Sequence, residues 1–144
     1  MFGTFLKSLL APAPAPLTTE DAQLALCALL VRVARSDENY APSEIAQIDK
    51  VMMTRYGFDS ARAAQLRKSA ETLEQEAPDT VRFTRALKDA VPYDHRIGVI
   101  EALWSIALAD GARDADEDAV IRLVANLLGI TDFESATARQ RVMK

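Results

Sequence analysis

The strongest constraint on this chain is that its two halves carry the same pattern. Ala34, Asp37, Glu44 and Ile48 recur as Ala107, Asp110, Glu117 and Ile121, each pair 73 positions apart. In each copy an aspartate stands where an apolar helical run stops. Seven residues later a glutamate opens the next helical run. A chain patterned this way is expected to contain two helix–loop–helix hairpins, each with an acidic loop. Two such hairpins, related by a pseudo-twofold, would bury their long apolar helices against each other.

The remaining elements read as helices as well. A helix is predicted over about 19–36, with Glu20 and Asp21 at its positive end. Its stretch from Leu24 to Val33 is apolar almost all round, as in a central buried helix. The next starts with Pro42 in its first turn, where the missing amide is harmless, and stops at Gly57. Asp59 is a cap for a helix reaching about residue 76, and Asp79 for a shorter one beyond Pro78. Pro92 marks another boundary, followed by helices over about 94–109 and 115–128, and a tail helix from about residue 132. No segment alternates apolar and polar residues as a strand would. Apolar residues make up 49% of the chain, with alanine and leucine dominant and glycine scarce, which again favours helix. The expected fold is all-α: a single bundle of about seven to eight helices with an internal pseudo-twofold hairpin repeat.

Residues 1–10 form a separate feature. Phe2, Phe5, Leu6, Leu9 and Leu10 fall on one helical stripe, joined by an Ala-Pro spacer over 11–17 to the domain spanning 18–144. A helix this short is unstable alone in water, so it is expected to dock on its own domain, on a partner or on a membrane surface. Lys7 interrupts the apolar stretch, which argues against a cleaved signal.

Charge and reactive side chains narrow the function. A net charge of −4 disfavours nucleic acid as a partner. Cys27 is the sole cysteine and sits in an apolar run, so it reads as a small buried hydrophobe. With no intrachain disulfide possible, a reducing, cytoplasmic location is expected, with residues 1–10 offering peripheral contact with the inner membrane. Arg82, Arg85 and Lys88 line one helix face and read as a solvated stripe. His95, the only imidazole, lies at a predicted helix start, where solvation or capping is its expected role. No nucleophile motif and no phosphate-cradling glycine loop is present, so the chain is not expected to be an enzyme.

The doubled acids are the candidate site. A helix C-terminus is partly negative, and an aspartate there is unfavourable by about 0.3–1 kcal/mol unless compensated. Local amides would compensate Asp37 and Asp110 in one reading. In the other, a hard cation such as Ca²⁺ or Mg²⁺ does so, taking carboxylate, carbonyl and water oxygens. Glu117 follows Asp114 by three residues, as in a capping box, whereas Glu44 follows Ala41, which has no capping oxygen. Capping therefore explains Glu44 less well than Glu117. Zinc is not expected with one histidine and one cysteine. The glycine directly after Asp110 does not fit an EF-hand, which turns on glycine at its sixth place.

The segment Ile106-Ala-Leu-Ala-Asp-Gly111, with Glu117 and Leu128-Gly129, resembles the repeated pattern of TerB-like domains. That family includes tellurite-resistance TerB proteins and the N-terminal region of membrane-anchored DnaJ-type co-chaperones. The resemblance covers about residues 18–130. It implies an all-helical fold with an internal repeat, acidic metal-binding residues, links to stress and metal resistance, and no established catalysis. The correspondence reaches Asp110 and Glu117 directly. It reaches Asp37 and Glu44 with Glu38 standing where the pattern has glycine, so a positive φ there would strain Glu38.

The functional expectation is a non-catalytic divalent-cation-binding module of a stress or tellurite-resistance-type system, with Asp37, Glu44, Asp110 and Glu117 as metal residues. The alternative is a metal-independent scaffold or co-chaperone module. Its partner would be an unidentified protein, a second copy in a homo-oligomer, or a membrane surface met by residues 1–10.

Overall fold

The computed structural model describes residues 19–36, 38–76, 80–109 and 114–143. The N-terminal segment and the Ala-Pro spacer lie outside them, as do Asp37, Asp79 and Asp110 to Arg113. Seven α-helices make up the regular structure among the described residues: α1 Thr19–Arg35, α2 Pro42–Tyr56, α3 Ser60–Glu76, α4 Thr80–Ala90, α5 Tyr93–Ala107, α6 Ala115–Leu127 and α7 Asp132–Met143. The all-α expectation holds, and the boundaries follow local chemistry. Pro42 opens α2 after an extended Ala41, and Gly57 closes it at φ 71°, donating its N–H to the Met53 carbonyl at 2.9 Å. The Asp59 carboxylate accepts the Arg62 amide at 2.8 Å, capping α3. Thr131 and Glu134 exchange side-chain and backbone hydrogen bonds at 3.1 and 3.0 Å, a reciprocal box that starts α7.

Helix α1 is the hub. Ala25 to Val31, together with Val33 and Ala34, are at most 1% exposed, so the helix has almost no solvent face along this stretch. It packs against α2, α3, α4, α5 and α6. The two long apolar helices α1 and α5 do meet, through a core that includes Val99, Ile100 and Leu103. The more extensive covers of α1, however, are α3 and α4, which supply Ala63, Ala70, Leu73 and Leu87 to the core, while α5 packs most extensively on α7. The reason is geometric: a helix apolar all round needs neighbours on every side, and one symmetry-related helix covers only one. Cys27 is fully buried, as expected of a small core hydrophobe, and burial pushes its thiol up. Trp104 in α5 donates its indole N–H to Ser135 in α7 at 3.1 Å, a buried polar tie between the two.

Arginines close several helix ends. In the last turn of α1, Arg32 donates to the Glu74 carbonyl at 3.0 Å and Arg35 to the Glu71 carbonyl at 3.3 Å, both near the negative end of α3. Arg96 gathers three carbonyls from two helix ends. Nε reaches Val91 at 3.0 Å, Nη2 reaches Lys88 at 2.9 Å, and Nη1 reaches Leu128 at 3.2 Å. It thus fastens the α4 and α6 C-termini to the start of α5. Arg85 and Lys88, by contrast, are exposed, in keeping with a solvated stripe. Replacing Arg96 by Met keeps the aliphatic stem and removes the three bonds. It is expected to lower the unfolding free energy by about 2 kcal/mol. The same change at Arg85 should stay within about 0.5 kcal/mol of zero. Urea titrations followed by circular dichroism check both.

Candidate functional site

Of the four acids read from the repeat, the two glutamates lie among the described residues. Glu44 is the third residue of α2 and Glu117 the third of α6. The helix-start residues Ala41 and Asp114 are likewise 73 positions apart. Glu44 is 0% exposed and Glu117 1% exposed. A carboxylate is rarely so buried without compensation, and a helix N-terminus supplies part of it through its free amides and dipole. Both glutamates therefore sit where the backbone field favours negative charge, and both are sealed from bulk water.

Their local chemistry differs. At α6 the Asp114 carboxylate accepts the amides of Asp116 at 2.8 Å and Glu117 at 3.2 Å, so the expected side-chain cap is present. At α2 the Ala41 side chain offers nothing, yet Glu44 Oε1 accepts the Ala41 amide at 3.1 Å. Capping thus explains Glu44 better than its sequence context implied. The glutamate's half of the box forms even though the other half is missing, because the extended Ala41 backbone turns its N–H toward the helix start.

Asp37, Asp110 and Gly111 lie outside the described residues, so the loop centres themselves are not placed. The flank of the first loop is. Glu38 takes φ 63°, the left-handed conformation that the family pattern reserves for glycine, and donates its N–H to the Arg35 carbonyl at 2.9 Å. Among the described residues, no group of three or more His, Cys, Asp or Glu side chains converges as a metal centre. Glu44 and Glu117 therefore do not belong to a shared three-ligand cluster built from described residues.

Sequence reading missed the polar network beside the first loop. The Tyr40 hydroxyl donates to Glu71 Oε2 at 2.6 Å, and the same oxygen accepts Arg67 Nη1 at 3.1 Å. Arg67 Nε in turn meets Asp49 Oδ1 at 2.7 Å. Arg35 lies 5.0 Å over the Tyr40 ring and 3.5 Å from Glu74 Oε2. Three helices, α1, α2 and α3, thereby share one network with the loop. Its pairs are up to 39 residues apart in sequence, so no local pattern signals it. The Glu71–Arg67 spacing of four is the only fragment visible in the sequence.

Two of the surface grooves lie beside aromatic side chains. One, of about 600 Å³, opens between α6 and α7 over Trp104, with Ala119, Leu123, Ala136 and Arg139 on its walls. Another, of about 380 Å³, runs between the starts of α5 and α7 beside Phe133 and Tyr93, which are 81% and 54% exposed. His95 is exposed in the first turn of α5, donating its backbone N–H to the Pro92 carbonyl at 2.9 Å.

The described residues form an all-helical bundle, with a buried glutamate at the third position of α2 and of α6. Residues 23–140 match the family described as tellurite resistance protein TerB, and the chain belongs to that family. No match is found among curated proteins or among solved structures.

A non-glycine residue in the left-handed region is strained by roughly 1–2 kcal/mol, against which glycine's extra unfolded-state freedom weighs about 0.5–1 kcal/mol. Glu38→Gly is therefore expected to raise the unfolding free energy by about 0.5–1 kcal/mol. Glu38→Ala should bring no comparable gain. Differential scanning calorimetry of the three chains measures this.

Proposed function

We propose that this chain is a non-catalytic divalent-cation-binding module of a stress or tellurite-resistance-type system, taking Ca²⁺ or Mg²⁺ at Asp37, Glu44, Asp110 and Glu117. One observation carries the reading. Two buried carboxylates occupy matching helix starts, each seven residues after an aspartate in the sequence. Two sealed carboxylates recur at equivalent helix starts, where free amides and the helix dipole favour negative charge. A hard cation drawing on loop carboxylates and helix-end carbonyls would compensate such a concentration of negative charge. Membership of the TerB family supports the link to tellurite-resistance-type systems. Zinc remains disfavoured because Cys27 is buried and His95 stands apart on α5.

A second reading, a metal-independent interaction module, draws on the exposed Phe133 and Tyr93 beside their groove. Exposed aromatic side chains flanking a groove suit protein contact. No helix among the described residues is long and apolar enough to cross a membrane. In this reading, any membrane contact would be peripheral and would fall to residues 1–10.

Thermal unfolding separates the readings. A ligand that binds only the folded chain stabilises it by about 2.7 kcal/mol at a hundredfold excess over its dissociation constant. Millimolar Ca²⁺ or Mg²⁺ is expected to raise Tm by several degrees. Asp37→Ala and Asp110→Ala should each reduce the rise, and the double variant should abolish it. A Tm that responds to neither ion leaves the interaction reading.

A further inference from the structure

We propose that the groove between the starts of α5 and α7 is the docking site for residues 1–10 of the same chain, which cover Phe133 and Tyr93. This docking is independent of the cation reading above.

Phe133 is the most exposed large apolar side chain among the described residues, at 81%. Its exposure is built into the fold. It lies inside the Thr131–Glu134 box, whose hydrogen bonds of 3.1 and 3.0 Å fix the turn that carries it. Tyr93 faces it across the groove and is held as well. Its hydroxyl donates to the Gly129 carbonyl at 3.4 Å, and the Arg96 guanidinium stands 5.7 Å over its ring. Ile97 and Ile130 complete the apolar lining. Contiguous apolar surface of this kind marks an interaction site, and walls fixed in advance lower the cost of filling it.

Charge at the rim selects the occupant. Asp94, Glu134 and Arg141 border the groove. Arg141 is drawn to Glu101 on α5, at 3.4 Å. The Thr131 amide, donating to Glu134 at 3.0 Å, holds that carboxyl below the usual range and so keeps it charged at neutral pH. Aromatic walls with an acidic rim suit an apolar segment that carries a cation and no acid. Residues 1–10 are such a segment. Phe2, Phe5, Leu6 and Leu9 recur at helical spacing, and Lys7 is the only charged side chain before Glu20.

Reach favours the same chain as the source. The Ala-Pro spacer over 11–17 is expected to extend about 3.1 Å per residue, roughly 20 Å in all. A domain of this size has a radius of gyration of about 14 Å, so such a spacer carries the segment to a face well away from the start of α1. A short tether gives an effective concentration on the order of millimolar, enough to fill a weak site without a second molecule. A membrane surface is the poorer match. Helices that lie on membranes carry a polar face rich in Lys and Arg, whereas the polar positions here include Thr4, Lys7 and Ser8.

Paramagnetic NMR of the full chain tests the docking. Cys27 is fully buried, so a nitroxide can be attached selectively at Thr4→Cys. Several-fold loss of amide intensity is expected at Tyr93, Asp94, Ile97, Phe133 and Glu134, with α3, which packs on α1 and α2, spared. Phe133→Ser, which replaces an exposed ring, should abolish the loss. Lys7→Glu should reduce it several-fold and Lys7→Arg should preserve it. Leu6→Ser, in the segment itself, replaces Phe133→Ser as the test if that variant does not fold. Isotope-labelled chain without nitroxide, mixed with unlabelled chain that carries it, should show no loss. The docking is overturned if the loss spreads evenly, falls in the groove between α6 and α7, survives Phe133→Ser, or appears in the mixture, where a second copy would be its source. Absence of any loss at the groove overturns it too, and sedimentation of that chain with phosphatidylserine–phosphatidylcholine vesicles would then assign the segment to a membrane surface.

Discussion

The structure depends on the burial of α1. A helix with no solvent face cannot be stable until it is surrounded, and four of its neighbours follow it in the chain before α6 is reached. Each leucine and valine of α1 contributes about 1.5–3 kcal/mol by leaving water, and the alanines contribute less. Polar chemistry is displaced to the helix ends as a consequence. Arg32 and Arg35 turn outward from its last turn to α3, and the first acidic loop begins where its apolar surface stops.

Much of the fold was legible in the sequence because it is governed by nearest neighbours. Pro42, Gly57, Asp59 and Gly129 act through backbone geometry and local amides, and the helices begin and end within a residue or two of where those residues imply. The all-round apolar run of α1 announced its burial. The Thr131–Glu134 box is equally local, but it lies outside the apolar periodicity that marks the helices. What covers α1 was less legible. The repeat drew attention to α5, whereas α3 and α4 lie outside the repeated pattern and cover more of the central helix.

The candidate site was legible in part. Acidic identity and spacing marked Glu44 and Glu117, and both are buried at helix starts. The amide partner of Glu44 was not foreseen, because a capping box normally announces itself through its first residue and Ala41 has no oxygen to show. The strain at Glu38 was visible once the family pattern was laid over the first loop. The Tyr40–Glu71–Arg67–Asp49 network was not, since it joins three helices whose registers are set by packing. Duplication of a motif preserves the residues that define it. It does not preserve the neighbours that position them, and in those neighbours the two halves of this chain differ.

The central claim is that the doubled acids collect a divalent cation from solution. Manganese, a hard ion suited to carboxylate and carbonyl oxygens, makes the claim directly visible through paramagnetic broadening of amide resonances. Substoichiometric Mn²⁺ should first erase the resonances of Glu38 to Glu44 and of Asp114 to Asp118, and excess Ca²⁺ should restore them. Broadening spread evenly over the acidic surface, or confined to places remote from both loops, would contradict it.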